Sequence, residues 1–340
     1  MKVLELHGDF GFDSLRIAER PDPVPGPGEV LVQVRAASLN YRDLLTIQGI
    51  YNPRQPLPLI PASDGAGVVV GVGPGVTRVS IGDRVAAIFA QGWLSGPPNR
   101  EKLASTTLGG PLDGMLAELA VFREDGLVHI PGHLTDEEAA TLPCAAVTAW
   151  SALVRHGSVK AGDRVLVMGT GGVSVFALQF ARLLGAEVIV ISSSDAKLER
   201  AKALGAAHGI NYKQHPAWSK LVRELTGGEG VDHVIEVGGV GTLPQSMRTV
   251  RMGGHISLIG VLGGVEAPLN LTPILMQDIR LQGVIVGPRD AFLEMNRAIG
   301  LHALHPVVDR VFPFGETVDA MRHLASASHF GKLCIQMREQ

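Results

Sequence analysis

Cysteine is nearly missing from this chain: two in 340 residues, Cys144 and Cys334, far apart. That excludes a disulfide framework and makes a reducing compartment the default. No HExxH and no CxxC is present, so the compact zinc signatures are absent. No GxSxG elbow is present either, which argues against a serine hydrolase. Charge of neither sign dominates: 30 Lys and Arg stand against 33 Asp and Glu, a net charge of −3. No basic face for nucleic acid follows from that balance. No apolar run reaches the roughly 18 residues that a membrane span needs. The opening Met1-Lys-Val-Leu-Glu-Leu-His-Gly8 carries charges inside its short apolar run and does not read as a signal peptide. The expectation is a soluble, cytoplasmic protein acting on a small molecule, with no nucleic acid or membrane partner.

Glycine is abundant, with 42 residues. It gathers with proline at turn signals: Pro21-Asp-Pro-Val-Pro-Gly-Pro-Gly28, Gly71-Val-Gly-Pro-Gly75 and Gly82-Asp83. Between these lie short apolar runs that predict strands at Val3–Leu6, Leu15–Glu19, Val30–Ala36, Val68–Val72, Val85–Phe89, Leu116–Val121 and Leu127–Ile130. Such a first part reads as a small barrel or sandwich. From Thr135 the pattern changes to alternating helices and strands, with strands at Val165, Val188, Val231, Ile256 and Leu281. Nearly all-apolar strands in that alternation make a parallel sheet covered on both faces. Helices near Phe292–Leu301 and Thr317–Ala325 and a strand at Lys332–Gln336 follow.

The most informative stretch is Val165-Leu-Val-Met-Gly169-Thr-Gly171-Gly172-Val173-Ser174. An apolar strand runs into a glycine turn, which opens an apolar helix toward Leu184. The turn needs backbone freedom that glycine supplies cheaply. Free amides at the helix start then favour an anion, and a dinucleotide pyrophosphate is the natural one. Gly185 reads as the C-cap, and the strand Glu187–Ser192 completes the unit. Ser174 stands where a third glycine of GxGxxG is usual, and its small size keeps helix and strand close.

This order of motifs resembles the medium-chain dehydrogenase/reductase superfamily over essentially the whole chain. The carrying residues are Asn40-Tyr-Arg-Asp43 with Gly49; Ile60-Pro-Ala-Ser-Asp-Gly65-Ala-Gly67; Gly82-Asp-Arg-Val85; Leu142-Pro-Cys-Ala-Ala-Val-Thr148; the glycine turn; Glu236-Val-Gly-Gly239; Gly253 to Gly260; and Phe330-Gly-Lys332. The resemblance implies an α/β fold, a Rossmann doubly wound parallel sheet inserted in a β-rich, GroES-like catalytic domain. Its expected boundaries are residues 1–124 and 288–340 for the catalytic domain and 125–287 for the cofactor domain, with substrate in the cleft between them. It also implies a homodimer through the edge strand Arg280–Val286.

Zinc-dependent members hold their catalytic metal with a Cys, a His followed by Glu, and a second Cys. Here Asn40, Ser63 and Asp64 stand at the first two places, and only Cys144 remains. The segment from Gln91 to Gly114, matching the structural-zinc lobe, has no cysteine. One thiolate cannot make a site that needs three protein ligands. The chain therefore resembles the zinc-free, quinone-oxidoreductase-like branch, and no metal ligand is expected.

Without a Lewis acid, an activated acceptor such as a quinone or an α,β-unsaturated carbonyl is the easier hydride acceptor. Candidate catalytic residues are Asn40, Arg42, Tyr51 and Asp64. Each has a second reading: Asn40 bonding its own loop, Arg42 pairing with Asp43 or Asp64, Tyr51 shaping access as a lid, Asp64 not acting as a base. Cys144 reads better as a small apolar filler than as a nucleophile, and His302 and His305 as surface or capping residues.

NADPH is the expected cofactor. Ser192 occupies the place where an acidic residue would bond the ribose diol of NAD. Ser193, Lys197 and Tyr212 are candidates for the 2′-phosphate, with Asp195 turned to the helix as its N-cap. The turn residues Gly169, Gly171, Gly172 and Val173 would face the pyrophosphate. Gly238 and Gly239 would leave room for the dinucleotide. The resemblance adds Thr148, Ile259, Gly260, Val261, Val284, Val286, Phe330 and Lys332, the last reaching the pyrophosphate. Two rival readings stay open: a zinc-independent alcohol or aldehyde dehydrogenase, and a non-catalytic NADPH-binding protein.

Overall fold

The computed structural model describes residues 1–337. The chain forms two compact units, residues 1–147 with 287–340 and residues 148–286. In chain order the strands are β1 (Lys2–Leu6), β2 (Leu15–Glu19), β3 (Glu29–Ser38), β4 (Asp64–Val72), β5 (Arg84–Ala87), β6 (Leu119–Arg123) and β7 (Leu127–His129) in the first unit. The second unit holds β8 (Arg164–Met168), β9 (Glu187–Ser192), β10 (His208–Asn211), β11 (Val231–Glu236), β12 (Val250–Leu258) and β13 (Arg280–Gly283). The chain then returns to the first unit with β14 (Val308–Pro313) and β15 (Lys332–Gln336).

The first unit is built on a seven-stranded sheet in the order β14-β15-β3-β4-β5-β7, with β6 also paired to β3. Its centre is β3, whose Val30, Val32, Val34 and Ala36 alternate inward and are at most 2 % exposed. That period of two is what a strand with one buried face requires. A core of Val69, Val85, Leu116, Met115 and Leu333 closes over the inward face. Each fully buried aliphatic of this kind stabilises the fold by roughly 1.5–3 kcal/mol.

The second unit is a six-stranded sheet in the order β10-β9-β8-β11-β12-β13, every pair parallel. Numbered within the unit, that is the 3-2-1-4-5-6 order of the dinucleotide-binding fold. The central strands are apolar along their length because helices cover both faces. Trp150 meets Phe180 edge to face, and Phe180 stacks on Phe176, on one of those faces.

The expected boundary at 124/125 is too early. β7 pairs with β5 and the helix Asp136–Ala140 packs on β3 and β4, so residues 125–147 belong to the first unit. The edge strand is also shorter than expected. β13 stops at Gly283, and Val284 is tied by its N–H to Leu258 while no ladder continues through Val286. Among the described residues no helix is long and apolar enough to cross a membrane.

Candidate active site

Neighbouring strands of the first unit bring distant residues together. β15 runs antiparallel to β3 with Cys334 opposite Ser38, and β3 runs antiparallel to β4 with Ser38 opposite Asp64. The same register carries Lys332, two residues before Cys334, to Asn40, two residues after Ser38. Asn40 opens the helix Tyr41–Ile47, and its N–H donates to Asp43 Oδ2 at 2.7 Å. That is half of a capping box, with the acid three residues in, which satisfies an otherwise orphan donor.

From this junction a directional chain of hydrogen bonds extends. Lys332 Nζ donates to Leu39 O at 2.5 Å and to Asn40 Oδ1 at 2.7 Å. Asn40 Nδ2 donates to Ser63 Oγ at 3.5 Å, and Ser63 Oγ donates to Asp64 Oδ1 at 2.7 Å. Asp64 Oδ2 accepts from the Cys144 N–H at 3.0 Å. That N–H is available because residues 142–146 wind as a wider π turn. Cation, amide and hydroxyl thus donate in turn toward a carboxylate that only accepts. Such chains polarise their members cooperatively.

Burial sets the electrostatics. Asp43 and Asp64 are both wholly buried, and Lys332 is 4 % exposed. Desolvation pushes Asp43 up to about 6, against the opposing pull of Arg42. Asp64 is also raised by burial, while Lys332, Ser63, Asn40 and the Cys144 N–H favour its charged form. Burial raises the Cys144 thiol far above its ordinary value, which favours the neutral thiol. Two carboxylates are matched by two cations, Arg42 and Lys332.

Arg42 is engaged within the protein. Its guanidinium donates to the carbonyls of Leu108 and Gly110, at 2.9 and 3.3 Å, and stands 3.8 Å from Asp43. It lies between the rings of Tyr51 and Phe89, 5.0 Å from each centroid. The ion-pair reading of Arg42 therefore holds for Asp43, with loop carbonyls taking most of its donors. Tyr51 is 54 % exposed and is held by this cation. Lys332, expected at the pyrophosphate, has a buried ammonium engaged by Leu39 O and Asn40 Oδ1. The Asn-x-x-Asp spacing at 40–43 was the signal that could have announced the cap. The Phe330-Gly-Lys332 motif announced the lysine, but nothing local in the sequence announced Asn40 as its partner.

In the second unit the site is made of backbone. Gly169 has φ +72, a left-handed conformation that glycine adopts freely, and its N–H donates to Ile191 O at 2.7 Å. Gly171 is the N-cap of the helix Gly172–Leu183 and offers no side-chain cap, so the first-turn amides keep their donors. A Cβ at Gly169 would meet only Ser174 Oγ, at 3.9 Å, and one at Gly171 would meet nothing within 4 Å. Open space over free helix amides is what a pyrophosphate requires. Ser174 donates to Met168 O at 2.5 Å, so the departure from a third glycine is absorbed by a bond inside the turn.

At the end of β9, Ser192 is buried and its carbonyl accepts the Tyr212 N–H at 3.0 Å. Ser193 is half-buried. The cap of the following helix is Ser194, whose Oγ accepts the Lys197 N–H at 3.4 Å, not Asp195 as expected. Asp195 instead accepts from Asn211 Nδ2 and Gln214 Nε2, both at 2.8 Å, which draws its charge toward the strand β10 side. Tyr212 is 40 % exposed beside it.

Gly238 and Gly239 serve the protein first. Their N–H groups donate to Glu236 Oε1, as does Thr242 Oγ1, while Ser246 Oγ donates to Glu236 Oε2. A Cβ at Gly238 would lie 2.3 Å from Thr242 Oγ1, and one at Gly239 would lie 2.7 Å from Gly264 O. Neither glycine therefore faces open space. Thr148, Val284 and Val286 are buried in this unit, Ile259 and Gly260 are half-buried, Val173 is half-buried, and Val261 is 48 % exposed. Phe330 is buried in the first unit.

Comparison with known proteins agrees with this layout. The family description "Alcohol dehydrogenase GroES-like domain" matches residues 26–132, and "Zinc-binding dehydrogenase" matches residues 172–300. A zinc-type alcohol dehydrogenase-like protein of Schizosaccharomyces pombe is 46 % identical over 96 % of both chains. The crystal structure of an NAD-dependent alcohol dehydrogenase superposes with a TM-score of 0.91 at 36 % identity, covering 99 % of each chain. Crotonyl-CoA reductase of Streptomyces collinus is 32 % identical over 96 % of this chain and 83 % of its own. The chain belongs to the medium-chain dehydrogenase/reductase superfamily. It is an oxidoreductase of that kind, and a nicotinamide dinucleotide is the cofactor the family implies. The glycine turn fits that group. The first unit does not fit the family's zinc: Asn40 Oδ1 is taken by an ammonium, Ser63 and Asp64 bond each other, and Cys144 is the one thiol left where three protein ligands are needed. Among the described residues no group of three or more His, Cys, Asp or Glu could hold a metal.

Proposed function

We propose that this chain is an NADPH-dependent oxidoreductase that passes hydride to a quinone or an α,β-unsaturated carbonyl without zinc. The observation that carries the reading is the chain from Lys332 through Asn40 and Ser63 to Asp64. It places hydrogen-bond donors and balanced charges where a metal enzyme needs thiolates and imidazole. A divalent cation there would meet an ammonium and find no free ligand set. When bound, the reduced nicotinamide supplies hydride. Asn40 Nδ2 donates a hydrogen bond to the acceptor's oxygen as negative charge builds on it, and the ammonium behind the amide strengthens that donor. Tyr51, exposed and propped on Arg42, borders the approach of substrate. Conjugated acceptors spread the developing charge, so hydrogen bonds suffice for them. The name of the Streptomyces relative, a crotonyl-CoA reductase, accords with an activated alkene as acceptor.

NADPH over NADH rests on Ser192. A neutral residue there removes the carboxylate that would oppose a 2′-phosphate, and the Asn211 and Gln214 bonds occupy Asp195. The NAD-dependent alcohol dehydrogenase among the structural neighbours favours the rival pairing of NAD with an alcohol. The test is NADPH and NADH oxidation against a panel of quinones, 2-enals, enoyl thioesters and saturated aldehydes, before and after exhaustive chelation. Expected is NADPH consumption with conjugated acceptors that survives chelation, with metal content far below one per chain. A tightly held zinc in each chain, with activity lost on chelation, would overturn the reading.

A two-fold mate over the β13 edge is proposed with it. That strand has β12 on one side only; Leu281 is 37 % exposed on it and Ile285, just beyond its end, is 53 % exposed. Sedimentation at micromolar concentration is expected to give a dimer. A monomer there would remove the proposal.

A further inference from the structure

The Asn40 amide is the one group in the first unit's network whose two ends do different work, and its orientation is fixed from behind. Lys332 Nζ, buried at the start of β15, donates to Asn40 Oδ1 at 2.7 Å and to Leu39 O at 2.5 Å. At the other end Asn40 Nδ2 faces Ser63 Oγ at 3.5 Å, and the amide favours the charged form of Asp64. Turning the amide over would set its NH2 against the ammonium and its oxygen against the carboxylate side. Both contacts would be repulsive in a buried place, where unpaired polar groups are costly. The bond to Ser63 lies at the outer limit of length for an N–H donor, so Nδ2 keeps donor capacity. Leu39 holds the lysine itself in place: its carbonyl accepts from the ammonium, and its N–H donates to Leu333 O at 3.0 Å, just past the last register pair, Cys334 opposite Ser38.

We propose that Lys332 is a positioning residue: its ammonium locks the Asn40 amide so that Nδ2, and never Oδ1, is presented to the oxygen of the substrate. The substrate group recognised is therefore a hydrogen-bond acceptor, a carbonyl or an enolate oxygen, and not a hydroxyl that must donate. This inference rests on the reductase reading above, and it reassigns Lys332 from cofactor holding to the acceptor side of the reaction.

The test is a cycle of Lys332→Met, Asn40→Asp and the double variant, read as kcat with the best acceptor and as the Kd of NADPH. Asn40→Asp keeps an acceptor for the ammonium but removes the donor. Expected is a loss of about tenfold in kcat for each single variant, with the Kd of NADPH within about twofold. The double variant is expected to fall no further than Asn40→Asp alone, because the lysine acts through that amide. Lys332→Arg, which keeps a cationic donor, is expected to recover most of kcat. If Lys332→Met does not fold, Lys332→Gln replaces it in the cycle. Losses that multiply in the double variant, or a tenfold rise in Kd with kcat unchanged, would overturn the proposal. A wild-type chain that reduces no conjugated acceptor sinks the reductase reading, and the inference is then decided by NMR. The Asn40 side-chain NH2 pair, identified by its loss in Asn40→Asp, is expected to exchange with water about tenfold faster once Lys332 is replaced. Unchanged exchange would show that the lysine does not hold the amide.

Discussion

The two units carry their chemistry in opposite ways. In the first, side chains from residues 40, 63–64 and 332 meet because β15, β3 and β4 are neighbours, and the Cys144 N–H joins them from the π turn. In the second, a single stretch of chain, Gly169 to Gly172, offers backbone amides and empty space. One is a closed polar network in which every partner is a constraint. The other is defined by what is missing, a Cβ here and a cap there. The lesson is that a backbone site tolerates no added side chain and demands little else, whereas a side-chain site depends on pairings that only the sheet register creates.

The largest expected effect tests the backbone half. Gly171 has φ −78 and ψ −176, extended values open to any residue, and nothing lies within 4 Å of an added Cβ. Gly171→Val is therefore expected to fold with nearly unchanged Tm. It fills the space over the helix amides, so dinucleotide affinity is expected to drop at least about 100-fold, or about 2.7 kcal/mol. Isothermal titration beside a thermal melt reads both. A large loss of Tm would mean that the glycine serves the fold, and the contrast between the units would break.

The second prediction concerns which dinucleotide is bound. Lys197→Ala is expected to weaken NADPH roughly ten- to hundredfold and leave NADH nearly unchanged, as a charge-assisted phosphate contact is worth about 1.5–3 kcal/mol. Ser192→Asp is expected to reverse the preference, since it opposes the phosphate and supplies a ribose acceptor together. Equal losses for both dinucleotides would place the phosphate site elsewhere.

The same contrast explains what the sequence made legible. The glycine turn, the buried strands β8, β9 and β11 and the Ser174 substitution were readable because their causes are contiguous. The edge strand β10, only His208–Asn211 with a glycine inside it, gave no apolar run to read. The strand β14 was passed over for the same reason, as Asp309 and Arg310 interrupt it. The domain boundary was misplaced because a three-residue strand, Leu127–His129, decides it by pairing with β5. At the candidate site Asn40, Arg42 and Asp64 were legible as residues, and so was the Arg42–Asp43 pair, but the partners of Asn40 were not. Lys332 sits 292 residues from Asn40, and only the β15–β3 register joins them.

Titration offers a sharper version of the comparison, because the buried groups of the two units respond to pH with opposite signs. In the second unit burial lowers His255 from 6.5 to about 4, with Arg280, His233 and His156 adding to it. Burial lowers His233 also, against the pull of Asp163 and Asp232. A histidine depressed on folding contributes stability above its unfolded value that is lost as pH falls toward the folded one. Hydrogen exchange in peptides spanning Val231–Leu258 is expected to quicken as pH falls from 6.5 toward 4, after correction for the intrinsic rate. The Tm is expected to drop by about 3–5 °C over that window, and His255→Gln is expected to remove much of the drop. An unchanged slope in that variant would assign the acid sensitivity to other groups.

The smallest expected effect is the mirror image, in the first unit. Asp43 is raised from 3.8 to about 6, with burial outweighing Arg42. An acid raised on folding contributes stability that is fully present below the unfolded value and lost as pH rises through the folded one. Between pH 4 and 6, then, this carboxyl works against the first unit as it ionises. Asp43→Asn keeps an oxygen for the Asn40 N–H, so the cap survives at every pH, but it removes the ionisation. The stability of the variant relative to the parent is expected to improve by about 2 kcal/mol as pH rises from 4 to 7. Denaturant melts at each pH, with exchange in peptides spanning Tyr41–Ile47 as the local check, measure it. A relative stability that falls with rising pH would mean that Arg42, 3.8 Å away, holds the carboxylate charged in spite of its burial. The charge balance of the network would then rest on that ion pair, and the two units would share one sign of response.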